Sequence, residues 1–238
     1  MKKSILLLSL LTAAISFSFV TDSGCGDFEQ FHAGTVFTMT SYSAKDKVTS
    51  VVTSTVKNVT NTADGMSADI HASMVDDKQK PTADMDYTLS CAGGEYRMDM
   101  KSLAGAAASP QGKDMTVKIE GNTLDYPKTM TAGQTLKDGE MTIYTYSSGS
   151  LVSTTKIAVR DRKVDAVESK TTTAGTWECY KISYITDVNM QIGTMNMPGM
   201  KPRKCIEWFS FKVGTVRSET YSGDKLEGYS ELTGLKKP

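Results

Sequence analysis

The sequence predicts a mainly β protein, a long antiparallel meander curled into an open half-barrel with one short helix. Three observations carry this. Apolar and polar residues alternate with period two from about residue 34 onward, turn-forming residues interrupt the alternation at short intervals, and thirty threonines and ten tyrosines suit pleated, half-buried strands.

The N-terminus comes first. Lys2 and Lys3 form a positive start, Ile5 to Ile15 an apolar stretch, and Ser16 and Ser18 the small residues that precede a signal-peptidase cut. We read residues 1–18 as a cleavable export signal, too short for a membrane span of about 20 residues. Residues 25–238 then form a single β-rich domain, periplasmic or extracellular. Cys25 raises the alternative of a lipidated N-terminal cysteine. Asp22, three residues before it, departs from the aliphatic residue such signals carry.

Without residues 1–18 the chain keeps 25 of its 27 basic side chains and all 27 acidic ones, since only Lys2 and Lys3 are lost. That balance argues against nucleic acid as a partner, because phosphate binding needs a positive surface. No later apolar run has the length of a membrane span.

The strands follow in order. Met66, Ala68, Ile70, Ala72 and Met74 share one face, as do Ala83, Met85, Tyr87, Leu89 and Cys91. Tyr96, Met98 and Met100 repeat the pattern, then Met115, Val117 and Ile119. Leu151 to Val159 and Tyr180 to Tyr184 read the same way. Turn signals stand at 44–47, 61–65, 76–81, Gly93-Gly94, Gly121-Asn122 and Gly223-Asp224. About eleven to thirteen strands result, and Lys101 to Ala108 is the helix candidate, closed by Pro110. Twist forces a meander of this length to curl, which creates a concave apolar interior.

Four cysteines remain after the signal, none close enough in sequence for a CxxC metal or redox pattern. In an exported chain they read as disulfides. Cys25 precedes the first strand and Cys91 ends the fourth; with strands running up, down, up and down, both lie at one end of the sheet and can pair. Cys179 and Cys205 flank a loop and are expected to bridge across it.

The segments from Gly34-Thr35-Val36 and from Gly214-Thr215-Val216 each run strand, polar turn, strand. Duplication and convergence of good hairpins both account for this.

The C-terminal run Trp208, Gly214, Thr215, Val216, Ser218, Glu219, Tyr221, Lys225 and Leu226 resembles the closing hairpins of a family of exported bacterial β-proteins known under the TapB name. Residues 171–182 (TTTAGTWECYKI) resemble that family's "TPAGTF-x-CY" stretch, with Thr173 in place of its proline. Gly34-Thr35 after Cys25, and Cys91 before Gly93-Gly94, fit as well. The family is similar to the LolA-like lipoprotein carriers, and the resemblance implies a half-barrel with an apolar concave face able to hold acyl chains.

Methionine is flexible and polarisable and lines surfaces that adapt to varied apolar ligands. We therefore take Met66, Ile70, Met74, Met85, Tyr87, Leu89, Met98, Met115, Val117 and Ile119 as the candidate ligand-binding face. Met190, Met195, Met197 and Met200 sit in a Gly- and Pro-containing loop that reads as an apolar contact surface; thioether sulfur suits Cu(I), but the loop offers no His or Cys, and no metal or cofactor is expected. His71 lies on a polar strand face. Trp177, Trp208, Tyr180 and Phe209 read as core or cross-strand aromatics. Hydrolase signatures such as GxSxG and HExxH are absent, so we expect no enzyme. The expected function is binding of a lipid or other apolar ligand; the alternative is a filled module that docks an envelope protein through a sheet edge or the Met-rich loop.

Overall fold

A computed structural model describes residues 25, 27–103, 114–197, 199 and 201–238. Among them fourteen strands form one antiparallel sheet. They are β1 (Val36–Ser43), β2 (Val48–Thr62), β3 (Gly65–Asp76), β4 (Pro81–Ala92), β5 (Glu95–Asp99), β6 (Met115–Gly121), β7 (Thr123–Tyr126), β8 (Gly139–Ser147), β9 (Ser150–Thr172), β10 (Gly175–Ile192), β11 (Met195–Asn196), β12 (Arg203–Ser210), β13 (Gly214–Ser222) and β14 (Lys225–Lys236). A single 3-10 turn, Glu29–Phe31, precedes them, and one short helix, α1 (Met100–Leu103), follows β5. The expected helix to Ala108 lies mostly outside the described residues, as do the signal, Pro198 and Met200.

The spatial order is β6-β8-β9-β10-β12-β13-β14-β1-β2-β3-β4-β5-β7, with β11 added at the tip of β10. The meander expectation holds: nearly every strand pairs with its neighbour in sequence, and the predicted turns at 44–47, 61–65, 76–81, 93–94 and 223–224 connect hairpins. The exception shapes the molecule. β6 and β7 are separated by Asn122 alone, yet β6 pairs with β8 and β7 with β5, at opposite ends of the sheet. One bent segment thus joins both edges and nearly closes the sheet into a barrel.

Asn122 holds that corner. Its backbone N–H donates to Glu140 O (3.1 Å), its Oδ1 accepts from Glu140 N (2.8 Å), and its carbonyl accepts from Met100 N (3.0 Å). Gly121-Asn122 reads as a hairpin turn in sequence but serves as a corner, because tertiary pairing draws the two halves apart.

The two similar segments form hairpins β1–β2 and β13–β14, which lie side by side through the β1–β14 pairing. Gly34 and Gly214 open them with φ of +90° and +78°, a conformation that favours glycine.

Cys25 is bonded to Cys91 (Cα–Cα 5.8 Å), as the strand parity predicts. The expected second bridge is corrected: Cys179 and Cys205 are buried free thiols. Cys205 lies opposite Tyr184 on β10, so it shares Tyr184's face. Cys179 is five positions earlier, on the opposite face and about 17 Å away at strand rise. β10 and β12 pair directly, and their register, rather than the loop between them, decides which residues meet.

Candidate functional site

The disulfide anchors a plug. Phe28, held three residues beyond Cys25, and Phe31 enter one end of the barrel and pack against Tyr96 with ring centroids at 5.5 and 6.5 Å. Tyr96 continues to Tyr126 and Phe209, which stack at 4.1 Å. These rings fill this end, so a large share of the interior is core.

Beside the plug an interior cavity of about 140 Å³ remains. Strand register assembles its wall. Phe37 lies opposite Ser54, Ile70 opposite Tyr87, and Leu89 opposite Met98, each pair on the inner face of adjacent strands β1 to β5. Met39, Tyr96, Leu232 and Val213, the last from the turn before β13, complete the apolar part; Gln30 comes from the plug and Thr215 from β13.

Four members of the predicted ligand-binding face therefore line one cavity: Ile70, Tyr87, Leu89 and Met98. The other six do not join them. Met66 packs against the core near Cys91. Met74 and Met85 are half-buried further along β3 and β4, outside this cavity's wall. Val117 and Ile119 pack on the core from β6, and Met115 is half-buried at that strand's start. Alternation assigns a residue to a face but does not say how far along the barrel a space is left open.

The polar groups around the cavity are few. Tyr87 donates to Ser54 Oγ at 3.5 Å, and burial pushes its phenol above the usual range. Gln30 Nε2 donates to Val213 O at 2.8 Å. Thr215 Oγ1 donates to Glu207 Oε1 at 2.5 Å.

Glu207 belongs to a buried network that sequence reading misses. Its Oε2 accepts from the Tyr126 hydroxyl (3.0 Å), and the Arg162 guanidinium lies 4.8 Å from the Tyr126 ring centre. Arg162 is 1% exposed and donates to the carbonyls of Asp125 and Lys137 at 3.2 and 2.7 Å. Burial, followed by the Glu207 charge, raises the Tyr126 phenol well above its ordinary value. One signal was available: Glu207 stands alone among Cys205, Ile206, Trp208 and Phe209, an acid in an apolar run.

At the barrel end remote from the plug, β9, β10 and β11 reach beyond their neighbours. Met190 faces Thr155 and Ile192 faces both Ser153 and Met195, so these methionines and Leu151 share the face that continues the interior. Met195 is 66% and Leu151 50% exposed. The Met-rich segment is thus a hairpin tip, not an irregular loop.

The remaining candidates are accounted for on the outside or in the core. His71 Nδ1 meets Asp86 Oδ1 at 2.9 Å on the outer surface. Trp208 faces away from Phe209, with its indole N–H on Glu168 (2.6 Å) and Lys170 Nζ 3.9 Å from its ring centre. No group of three or more His, Cys, Asp or Glu able to hold a metal is found among the described residues, and no helix among them is long and apolar enough to cross a membrane.

Comparisons with known proteins agree on architecture. A family model described as DUF3108-like matches residues 32–232. A solved structure of a protein from Parabacteroides distasonis, assigned as a lipoprotein, is 25% identical with a TM-score of 0.71, covering 88% of this chain and 98% of that one. Another, from Bacteroides fragilis, assigned as exported and with a YmcC-like fold, is 24% identical with a TM-score of 0.69, covering 88% and 99%. A comparison with curated proteins gave no match.

Proposed function

We propose, from the premise that this chain belongs to the DUF3108-like family, that it is a non-enzymatic protein of the cell envelope that holds an apolar ligand inside its barrel. The carrying observation is the cavity walled by Ile70, Tyr87, Leu89 and Met98. Its volume, about 140 Å³, is close to that of an engineered apolar cavity of about 150 Å³ that binds benzene. It therefore suits a ring or the end of a chain, with the rest of a longer molecule lying along the inner face. The resemblance of the 171–182 and C-terminal motifs to TapB-type proteins, and through them to lipoprotein carriers, supports this reading by analogy.

Native purification followed by solvent extraction and mass spectrometry tests it. An apolar molecule at near-stoichiometric amount is expected, and its loss in Leu89→Trp, which fills the cavity, would tie it to this site. A protein that carries nothing and is not stabilised by added apolar compounds would overturn the reading.

A second reading rests on the hairpin tip. Exposed Leu151, Met190, Ile192, Met195 and Met197 form an apolar face of the kind that marks interaction sites. Under this reading, replacing Met190, Met195 and Met197 by Ser releases an envelope partner while occupancy of the cavity is unchanged.

A further inference from the structure

Five of the seven large apolar side chains that stand exposed among the described residues gather at one place: Leu151, Met190, Ile192, Met195 and Met197, at the barrel end remote from the plug. The pairing of β10 with β12 ends at Thr186 opposite Arg203, so Ile192 lies about 20 Å beyond that level at strand rise. The tip has two unlike faces. Met197 N–H donates to Met190 O (2.9 Å) and Ile192 stands opposite Met195, so these four share one face. Asn189, Gln191 and Asn196 occupy the other, beside Lys156, which stands opposite Asn189.

Charge is arranged around this tip as an anionic lipid surface requires. From Met141 to Thr155 and from Val188 to Met200 the sequence has no charged residue. Lys156 and Lys201, both exposed, close the two stretches. The acids nearby are engaged: Asp187 with Arg160 (3.3 Å) and Glu227 with Arg203 (2.6 Å). Asp114 stands by the β8–β9 turn, where its carbonyl accepts from Ser148 N (3.0 Å). At other turns of this end, Asp46, Asp77 and Asp224 each have a lysine as chain neighbour.

An apolar edge with a basic border suits the boundary between headgroups and acyl chains, and methionine adapts to fluid chains as it does to varied ligands. The backbone of the tip is also prepared for a medium poor in water: beside the Met197–Met190 bond, Gly193 N–H donates to Val152 O (3.0 Å).

We propose that this tip inserts into the surface of a lipid bilayer that carries anionic headgroups, with Met190, Ile192, Met195 and Met197 among the acyl chains and Lys156 and Lys201 at the phosphates. The proposal goes beyond the ligand-binding reading and stands without it.

Co-flotation of the purified mature protein with vesicles tests this, using phosphatidylcholine alone and an equal mixture with phosphatidylglycerol. Binding is expected to be at least about tenfold tighter to the mixture, and Lys156→Gln with Lys201→Gln is expected to remove that preference. Replacing Met190, Met195 and Met197 by Ser is expected to weaken binding by at least about tenfold, with the urea unfolding midpoint unchanged because all three are exposed. Ile192→Trp is expected to add a fluorescence component that moves to the blue when vesicles are present, which reads burial of the tip itself. No flotation with either vesicle, flotation unchanged in the methionine variant, or no blue shift in Ile192→Trp would each overturn the proposal. A protein partner lost from the methionine variant, with no vesicle binding by the unaltered chain, would overturn it in favour of docking to protein. Occupancy of the cavity is read separately through Leu89→Trp, so either reading can fail alone.

Discussion

The Tyr126 hydroxyl donates to Glu207 across 3.0 Å while the Arg162 guanidinium packs on the same ring at 4.8 Å, so one tyrosine stands between two buried opposite charges. Removing the acid leaves Tyr126 and Thr215 without an acceptor. Glu207→Ala, which leaves two buried donors unpaired at about 1–3 kcal/mol each, is expected to lower stability about twice as much as Tyr126→Phe, at about 1–3 kcal/mol, both read from urea unfolding midpoints.

Alkaline pH attacks the same region. Burial is the first cause that raises the phenols of Tyr96, Tyr126 and Tyr184 well above their ordinary value, with neighbouring charge adding to it. The unfolded chain releases these protons near pH 10, whereas the folded chain retains them. The stability they confer is thus fully present below pH 10 and lost as pH rises above it. Each tyrosine contributes a slope of up to about 1.4 kcal/mol per pH unit. Unfolding curves from pH 9 to 11.5 should show the decline, and Tyr184→Phe should make it shallower.

The thiols give a direct count. Burial pushes the Cys179 thiol up to about 12, so at pH 8 it is protonated and shielded. An aromatic disulfide reagent is expected to find no reactive thiol in the native protein, two after unfolding without reductant, and four after reduction. Two thiols reacting in the native state would contradict the burial of Cys179 and Cys205.

Breaking the Cys25–Cys91 bridge frees a loop of sequence separation 66, for which chain entropy gives about 4 kcal/mol. Cys25→Ser with Cys91→Ser is expected to lose that much. It should also loosen the plug, raising amide exchange at Phe31, whose N–H donates to Phe28 O.

Gly65 faces the carbonyl of Cys91 so closely that a Cβ would lie 1.9 Å from the oxygen. Backbone on both sides leaves little room to relax. Gly65→Ala is expected to cost more than about 3 kcal/mol, whereas Gly193→Ala, at an open hairpin tip with nothing near, should cost about 1–2 kcal/mol for its positive φ.

What sequence reveals here depends on how local the cause is. Alternation along β3 and β4 places Ile70, Tyr87 and Leu89 on the inner face, because side-chain period is a property of the strand itself. The Cys25–Cys91 pairing follows from counting strand directions. Pairing of Cys179 with Cys205 fails for the complementary reason, since register between β10 and β12 is set by contacts that neither residue encodes. Phe28 and Phe31 are spaced as one turn of helix would space them, yet nothing local says that this turn enters the barrel. Arg162 looks like a solvated residue in a polar stretch, and Asp161, with φ of +57°, marks the irregularity in β9 that turns it inward.

The pairing of β1 with β14, from Val36 opposite Lys236 to Ser43 opposite Gly228, has a consequence in time. Those strands lie in the middle of the sheet order, so without β14 the sheet falls into two halves with no strand pairing between them. β14, which follows the other thirteen strands in the chain, is the one that unites them. A chain still emerging from the ribosome therefore has no finished barrel until residues 225–236 are out, and completion of the fold waits for that strand.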